Sequence, residues 1–233
     1  MPEVENASVS PYNTIVLLQI ELNTGKYGWG SGALIDDRHV LTCAHNLLSR
    51  KGEYRATNIT AYFEYSSGAQ PDPAQGVRAM RGFYCDPYAN GDRTWDIGVV
   101  RLAAVVGRPL YMTPFAVDAE PLKLKFIAGY PGNRHFYMWQ DEDVWTGINV
   151  PQHSFAYVHE TEAGSSGSPV FEYSAVAQTL RQYGVHSGLA ENLEDKVGVL
   201  ITSVTAAFVN RAVRMTEPLF EFLIGLPAPV GAD

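Results

Sequence analysis

The chain has 233 residues, 46% of them hydrophobic and 18% charged, and its 17 basic and 25 acidic side chains give a formal charge of −8. That length makes one large domain or two small ones and buries roughly 70–75% of the unfolded surface. Net acidity without a dense basic cluster argues against nucleic acid or an anionic membrane as partner, no apolar run approaches the roughly 20 residues that span a bilayer, and the start of the chain lacks the basic stretch and apolar core of a signal peptide.

Along the chain, short apolar segments rich in β-branched residues follow one another. Residues 13–22 read as a strand. A Gly-rich turn over 28–32 leads into a short strand at 33–35, and further strands are expected at 40–42, 59–64, 77–84 and 97–102. Residues 103–118, with Pro109 and Pro114, read as a linker between two halves. The second half offers strands at 123–128, 144–150, 155–160, 169–173, 181–186 and 197–204. Residues 205–214 and 217–223 read as a C-terminal helix, and 227–233 as a frayed tail. Strands this short and frequent indicate an all-β barrel or sandwich, and two barrels fit the count. The expected division is residues 1–110 and 111–233.

Three segments carry chemistry. Gly164-Ser165-Ser166-Gly167-Ser168-Pro169 places a serine between glycines in a tight turn whose amides can converge on one point. Acyl transfer needs that arrangement: a hydroxyl attacks a carbonyl and nearby N–H groups hold the oxyanion. Alone, the segment is an ordinary Gly/Ser loop. Upstream, Val40-Leu41-Thr42-Cys43-Ala44-His45 ends an apolar strand in a histidine, and Asp96 precedes the apolar run 97–102. The order His45, Asp96, Ser166, at spacings of 51 and 70 residues, means that only tertiary folding brings the three together. The esterase elbow Gly-x-Ser-x-Gly does not fit, because its fifth position here is Ser168 and its triad runs Ser, Asp, His.

With these motifs, and with Gly129-Tyr130-Pro131-Gly132, Met138-Trp139 and Gly184-Val185-His186-Ser187-Gly188, the chain resembles the chymotrypsin-like serine proteases, more narrowly the bacterial glutamyl endopeptidase branch, over roughly residues 12–215. The resemblance implies two six-stranded antiparallel β-barrels with a cleft between them, His45 and Asp96 on the first and Ser166 on the second. It implies a catalytic triad of His45, Asp96 and Ser166, with the N–H groups of Gly164 and Ser166 as oxyanion hole. It also implies a pocket for an acidic substrate residue lined by Thr161 and His186, and a hydrogen bond from Ser187 to Asp96 on a strand that pairs with the substrate backbone. The substrates implied are proteins or peptides, cut by a monomer without a cofactor, and the family is a secreted one.

The chain departs from the family in places. Ser165 stands where digestive relatives carry an aspartate for a newly cut N-terminus, so activation of that kind is not expected. Met1-Pro2-Glu3-Val4 does not match the processed start that helps bind substrate in the glutamyl branch, and Glu160 sits where trypsin-like enzymes place a carboxylate for basic substrates. A serine protease of other preference and a silent peptide-binding relative are the alternatives. Cys43 and Cys85 are too few for a disulfide scaffold, and their pairing is left open. The six histidines are scattered without His-Glu-x-x-His, so no metal site is expected.

Overall fold

The computed structural model describes residues 2–49, 52–115, 125–143, 154–157, 163–189 and 196–200, together with 207 and 209. Strands β1 (Ile15–Leu22), β2 (Tyr27–Leu34), β3 (His39–Thr42), β4 (Ala56–Phe63), β5 (Val77–Tyr84) and β6 (Gly98–Leu102) close into a barrel in the order β1-β2-β3-β6-β5-β4. Strands β7 (Thr113–Pro114), β8 (Lys125–Gly129), β9 (Trp139–Asp143), β10 (Ser154–Tyr157), β11 (Pro169–Ser174), β12 (Thr179–Leu189) and β13 (Lys196–Leu200) form a second sheet. Its path is β10-β13-β12-β11-β8-β9, with β7 lying parallel on β12. The protein is all-β, as its strand frequency predicts.

Burial on both faces explains why β1 is apolar without alternation. Val16, Leu18 and Ile20 point into the barrel with Leu34, Val40, Val100 and Leu102. Ile15 and Leu17 point the other way, into a cluster shared with the second sheet. That cluster joins them, with Ala33 and Tyr62, to Ala128, Tyr130, Phe171 and Leu180. Val4 and Ala7 of the N-terminal segment complete it. The same segment extends the second sheet: Val4 N–H donates to Met138 O at 2.8 Å, and Glu3 bridges Trp139.

Two expectations are corrected. Residues 28–32 are not a turn but the middle of β2, paired with β1 from Glu21↔Tyr27 to Ile15↔Ala33. Their glycines answer to crowding instead: a Cβ on Gly30 would lie 2.5 Å from Asn46 Nδ2, and one on Gly32 2.5 Å from Val40 Cγ1. Strand β9 was not foreseen, because Trp-Gln-Asp-Glu-Asp is acidic and poor in β-formers; pairing with β8 along its whole length makes it a strand. The expected strand at 144–150 lies outside the described residues. So does most of the expected C-terminal helix, of which Ala207 and Val209 are described, both helical and the latter buried.

Candidate active site

The register of two neighbouring strands brings the first pair of site residues together. β3 pairs with β6 so that Thr42 faces Gly98. The chain leaving β3 and the chain entering β6 therefore lie side by side. Cys43 is extended and begins a one-turn 3-10 helix, Ala44–Asn46, which carries His45. Asp96 closes another such turn, Arg93–Trp95, where the Asp92 side chain accepts from the Thr94 amide. The His45 ring donates from Nδ1 to Asp96 Oδ2 at 2.7 Å, and the His45 backbone N–H donates to Oδ1 at 2.8 Å. From the second sheet, the Ser187 hydroxyl donates to Oδ2.

Asp96 is buried, yet its carboxylate accepts three hydrogen bonds. Burial alone would raise its pKa; the imidazole charge and the donors from His45 and Ser187 outweigh burial and hold it below its ordinary value. For His45, burial disfavours the charged ring, while the Cys43 sulfur and Asp96 carboxylate favour it, and the pKa rises well above the usual imidazole range. Burial also pushes the Cys43 thiol up. Near neutrality Cys43 is therefore uncharged, and Asp96 is the charge that acts on the ring.

Ser166 sits in a turn closed by Ser168 N–H donating to Ser165 O at 2.9 Å. Gly164 and Gly167 have φ of +98° and +92°, the left-handed region that a side chain would strain. The first barrel holds this turn. Ser31 N–H donates to Ser166 O at 2.7 Å, Asn46 Nδ2 donates to the same oxygen at 3.1 Å, and Ser31 Oγ donates to Gly164 O at 2.9 Å. Ser31 Oγ also accepts from Tyr130 N–H at 2.9 Å, so one hydroxyl links the Gly-Tyr-Pro-Gly segment to the Ser166 turn. From the other side, Gly167 N–H donates to His186 O at 2.8 Å and His186 N–H to Ser168 O at 2.9 Å.

The peptide before Gly164 is fixed through its carbonyl: Ala163 O accepts from Gly132 N–H at 2.5 Å. In a trans peptide the N–H points opposite to the C=O, so the Gly164 N–H faces away from Gly132. Among the described residues, the N–H groups of Gly164 and Ser166 have no acceptor, the state in which an oxyanion could use them.

The structure thus joins His45, Asp96 and Ser187 directly, and ties Ser166 by its backbone to Asn46, the neighbour of His45. No hydrogen bond links Ser166 Oγ to His45. His45 Nε2 instead meets Cys43 Sγ at 3.5 Å. In unliganded hydrolases the nucleophile–base contact is often long and tightens with substrate. His186 is buried on β12, adjoining the turn. Thr161 and Glu160 lie outside the described residues. Cys43 and Cys85 are both buried and no disulfide joins them. Ser31 and Asn46 were not singled out from sequence; the Gly-Ser-Gly run 30–32 and the position after His45 were their only signals.

A closed six-stranded barrel joined to a second β-sheet, with a His–Asp pair and a Gly-flanked serine turn meeting between them, defines the chymotrypsin-like fold class. Residues 30–176 match the family model of the trypsin-like peptidase domain, and the chain belongs to that family. It is similar to a glutamyl endopeptidase of Bacillus licheniformis, 25% identical over 177 residues; the match covers 74% of this chain and 52% of the relative, so the chain spans about half of that protein. Among solved structures it resembles a Glu endopeptidase at TM-score 0.77 and 20% identity, covering 92% of this chain and 96% of the other. The protease Anisep of Arthrobacter nicotinovorans follows at TM-score 0.72 and 22% identity, covering 87% and 96%.

Proposed function

We propose that the protein is a serine endopeptidase that cuts after acidic residues, with His45, Asp96 and Ser166 as its triad. Ser166 Oγ attacks the substrate carbonyl while His45 Nε2 takes its proton. Asp96 holds the ring as the Nδ1–H tautomer, which leaves Nε2 as the base, and stabilises the imidazolium that forms. The oxyanion enters the N–H groups of Gly164 and Ser166. His45 then protonates the leaving amine, and water resolves the acyl-enzyme by the same route in reverse. The observation that carries this reading is the Asp96–His45 Nδ1 hydrogen bond at 2.7 Å, beside a turn whose two amides are unengaged.

For the substrate, His186 and Thr161 are assigned to the pocket that holds the side chain before the scissile bond. A histidine and a hydroxyl are suited to a carboxylate. The similarity to glutamyl endopeptidases supports the assignment.

The contact of Nε2 with Cys43 rather than with Ser166 favours a second reading, a peptide-binding relative without turnover. A fluorophosphonate probe separates the two. Labelling that disappears in Ser166→Ala supports the protease; no labelling at neutral pH supports the binding module. Cleavage profiling on a peptide library then tests the pocket. His186→Ala should lose the preference for Glu over Leu while the fold is retained, and an unchanged preference removes His186 from the pocket.

A further inference from the structure

The mechanism above makes no use of Cys43, yet this side chain touches the most important atom in it. We propose that Cys43 Sγ and His45 Nε2 form a chelating site for a thiophilic divalent cation of the zinc class, and that the bound ion switches the peptidase off reversibly. The inhibitory part rests on the function proposed above; the metal site itself does not.

Geometry carries the argument. Zinc–sulfur bonds of about 2.3 Å and zinc–nitrogen bonds of about 2.0–2.1 Å, at a tetrahedral angle, set the two donors about 3.5–3.6 Å apart. The separation here is 3.5 Å. Donor atoms of Cys43, His45 and Asp96 all lie within 4.8 Å of one another. The Asp96 oxygens are already engaged by His45 and Ser187. A carboxylate fixing one imidazole nitrogen while the other meets the metal is the usual support of a histidine ligand, since it sets both tautomer and ring orientation. The arrangement that readies Nε2 to accept a proton therefore readies it equally to bind an ion. The His45 side chain is 26% exposed whereas Cys43 is buried, so an ion would reach the sulfur by way of the imidazole. A thiolate and an imidazole favour zinc-class ions over magnesium or calcium.

In the binding step the Cys43 S–H bond breaks and its proton leaves to solvent; an S–metal bond and an Nε2–metal bond form, and no electrons are transferred. Solvent or a substrate oxygen fills the remaining positions. With its lone pair taken, Nε2 cannot receive the Ser166 proton. No metal site is expected from the sequence, because its six histidines are scattered and His-Glu-x-x-His is missing. The Cys-x-His pair, two residues apart across the start of a 3-10 turn, carries it instead.

The test uses the full chain and two readouts. Zn²⁺ at micromolar concentration is expected to inhibit peptide cleavage, with activity restored by a chelator. Cys43→Ala should still cleave peptide but require at least about tenfold more Zn²⁺, because a lost ligand costs at least what a lost supporting partner costs. Cys43→Ser, closer in size, repeats the comparison if alanine loosens this core position. The second readout is Co²⁺ titration. The wild type should show thiolate-to-cobalt charge-transfer absorption in the near ultraviolet. Cys85→Ala and Ser166→Ala should keep the band, and both Cys43 variants should lose it. Equal Zn²⁺ sensitivity in wild type and Cys43 variants, no inhibition of the wild type, or a band that survives loss of Cys43 would overturn the proposal. If no peptide is cleaved at all, the function proposed above fails. The cobalt band then decides the metal site by itself, because it needs neither turnover nor Ser166.

Discussion

The amide of Ser31 on β2 donates to the carbonyl of Ser166 at 2.7 Å, and the hydroxyl of the same Ser31 joins Gly164 O to Tyr130 N–H. One residue of the first barrel thus sets the height and tilt of the turn on the second. Ser31→Ala keeps the amide contact and removes the hydroxyl bridge, leaving a buried amide unpaired at a cost of about 1–3 kcal/mol. The expected outcome is a drop in kcat with little change in KM, as befits a positioning residue. A loss of activity that merely follows the fraction unfolded would make Ser31 structural only; steady-state kinetics alongside thermal melting distinguishes the two.

Gly164→Ala should be among the most damaging small substitutions. The new Cβ would lie 2.6 Å from Tyr130 O and 2.8 Å from Gly132 N, at a φ of +98°. The turn must shift, and the Gly164 N–H moves with it. Loss of one oxyanion donor lowers kcat by about 10²–10³-fold. Single-turnover acylation, on a sample shown by circular dichroism to be folded, measures it. Acylation at the wild-type rate would remove Gly164 from the oxyanion hole.

On the proposed mechanism activity needs unprotonated His45, whose pKa the Asp96 carboxylate raises above the ordinary imidazole value. The kcat/KM profile should therefore still be rising above about pH 6.5, the usual midpoint for the group. Asp96→Asn removes the carboxylate that stabilises the charged ring, so its inflection should move to lower pH as its rate falls. A wild-type profile flat down to about pH 4 contradicts His45 as the base.

In the turn before β3, Asp36 accepts from the amides of Arg38 and His39, each at 2.8 Å, and from the His39 ring. Burial would raise its pKa, but the His39 hydrogen bond and these amides lower it. A carboxylate with a depressed folded pKa stabilises the native state above its unfolded value and loses that contribution as pH falls through the folded one. Asp36→Asn should melt below the wild type at neutral pH, and the gap should close below about pH 4. Melting curves across that range test it; a gap independent of pH would assign the effect to the turn geometry alone.

The segments around His45, Asp96 and Ser166 were legible because each motif is local: a strand end, a turn before a strand, a Gly-flanked serine. The Ser187–Asp96 contact followed from the family motif. Ser31 and Asn46 were not legible, because their roles arise from the register of β2 with β1 and from the approach of the second sheet, neither of which sequence spacing encodes. Glycines at 28–32 suggested a turn by composition, whereas Gly30 and Gly32 are there to admit Asn46 and Val40. The acidic β9 had no strand signature of its own and depends on its partner. For Cys43 the sequence leaves only the question of pairing with Cys85. The residue is buried, but burial does not reveal that its sulfur points at an imidazole nitrogen.

The apolar cluster in which Ile15, Leu17 and Tyr62 meet Ala128, Tyr130 and Phe171 binds the fates of the two sheets. Heat or denaturant that strips one of them uncovers oily surface on the other, so whatever loosens either half weakens its neighbour as well.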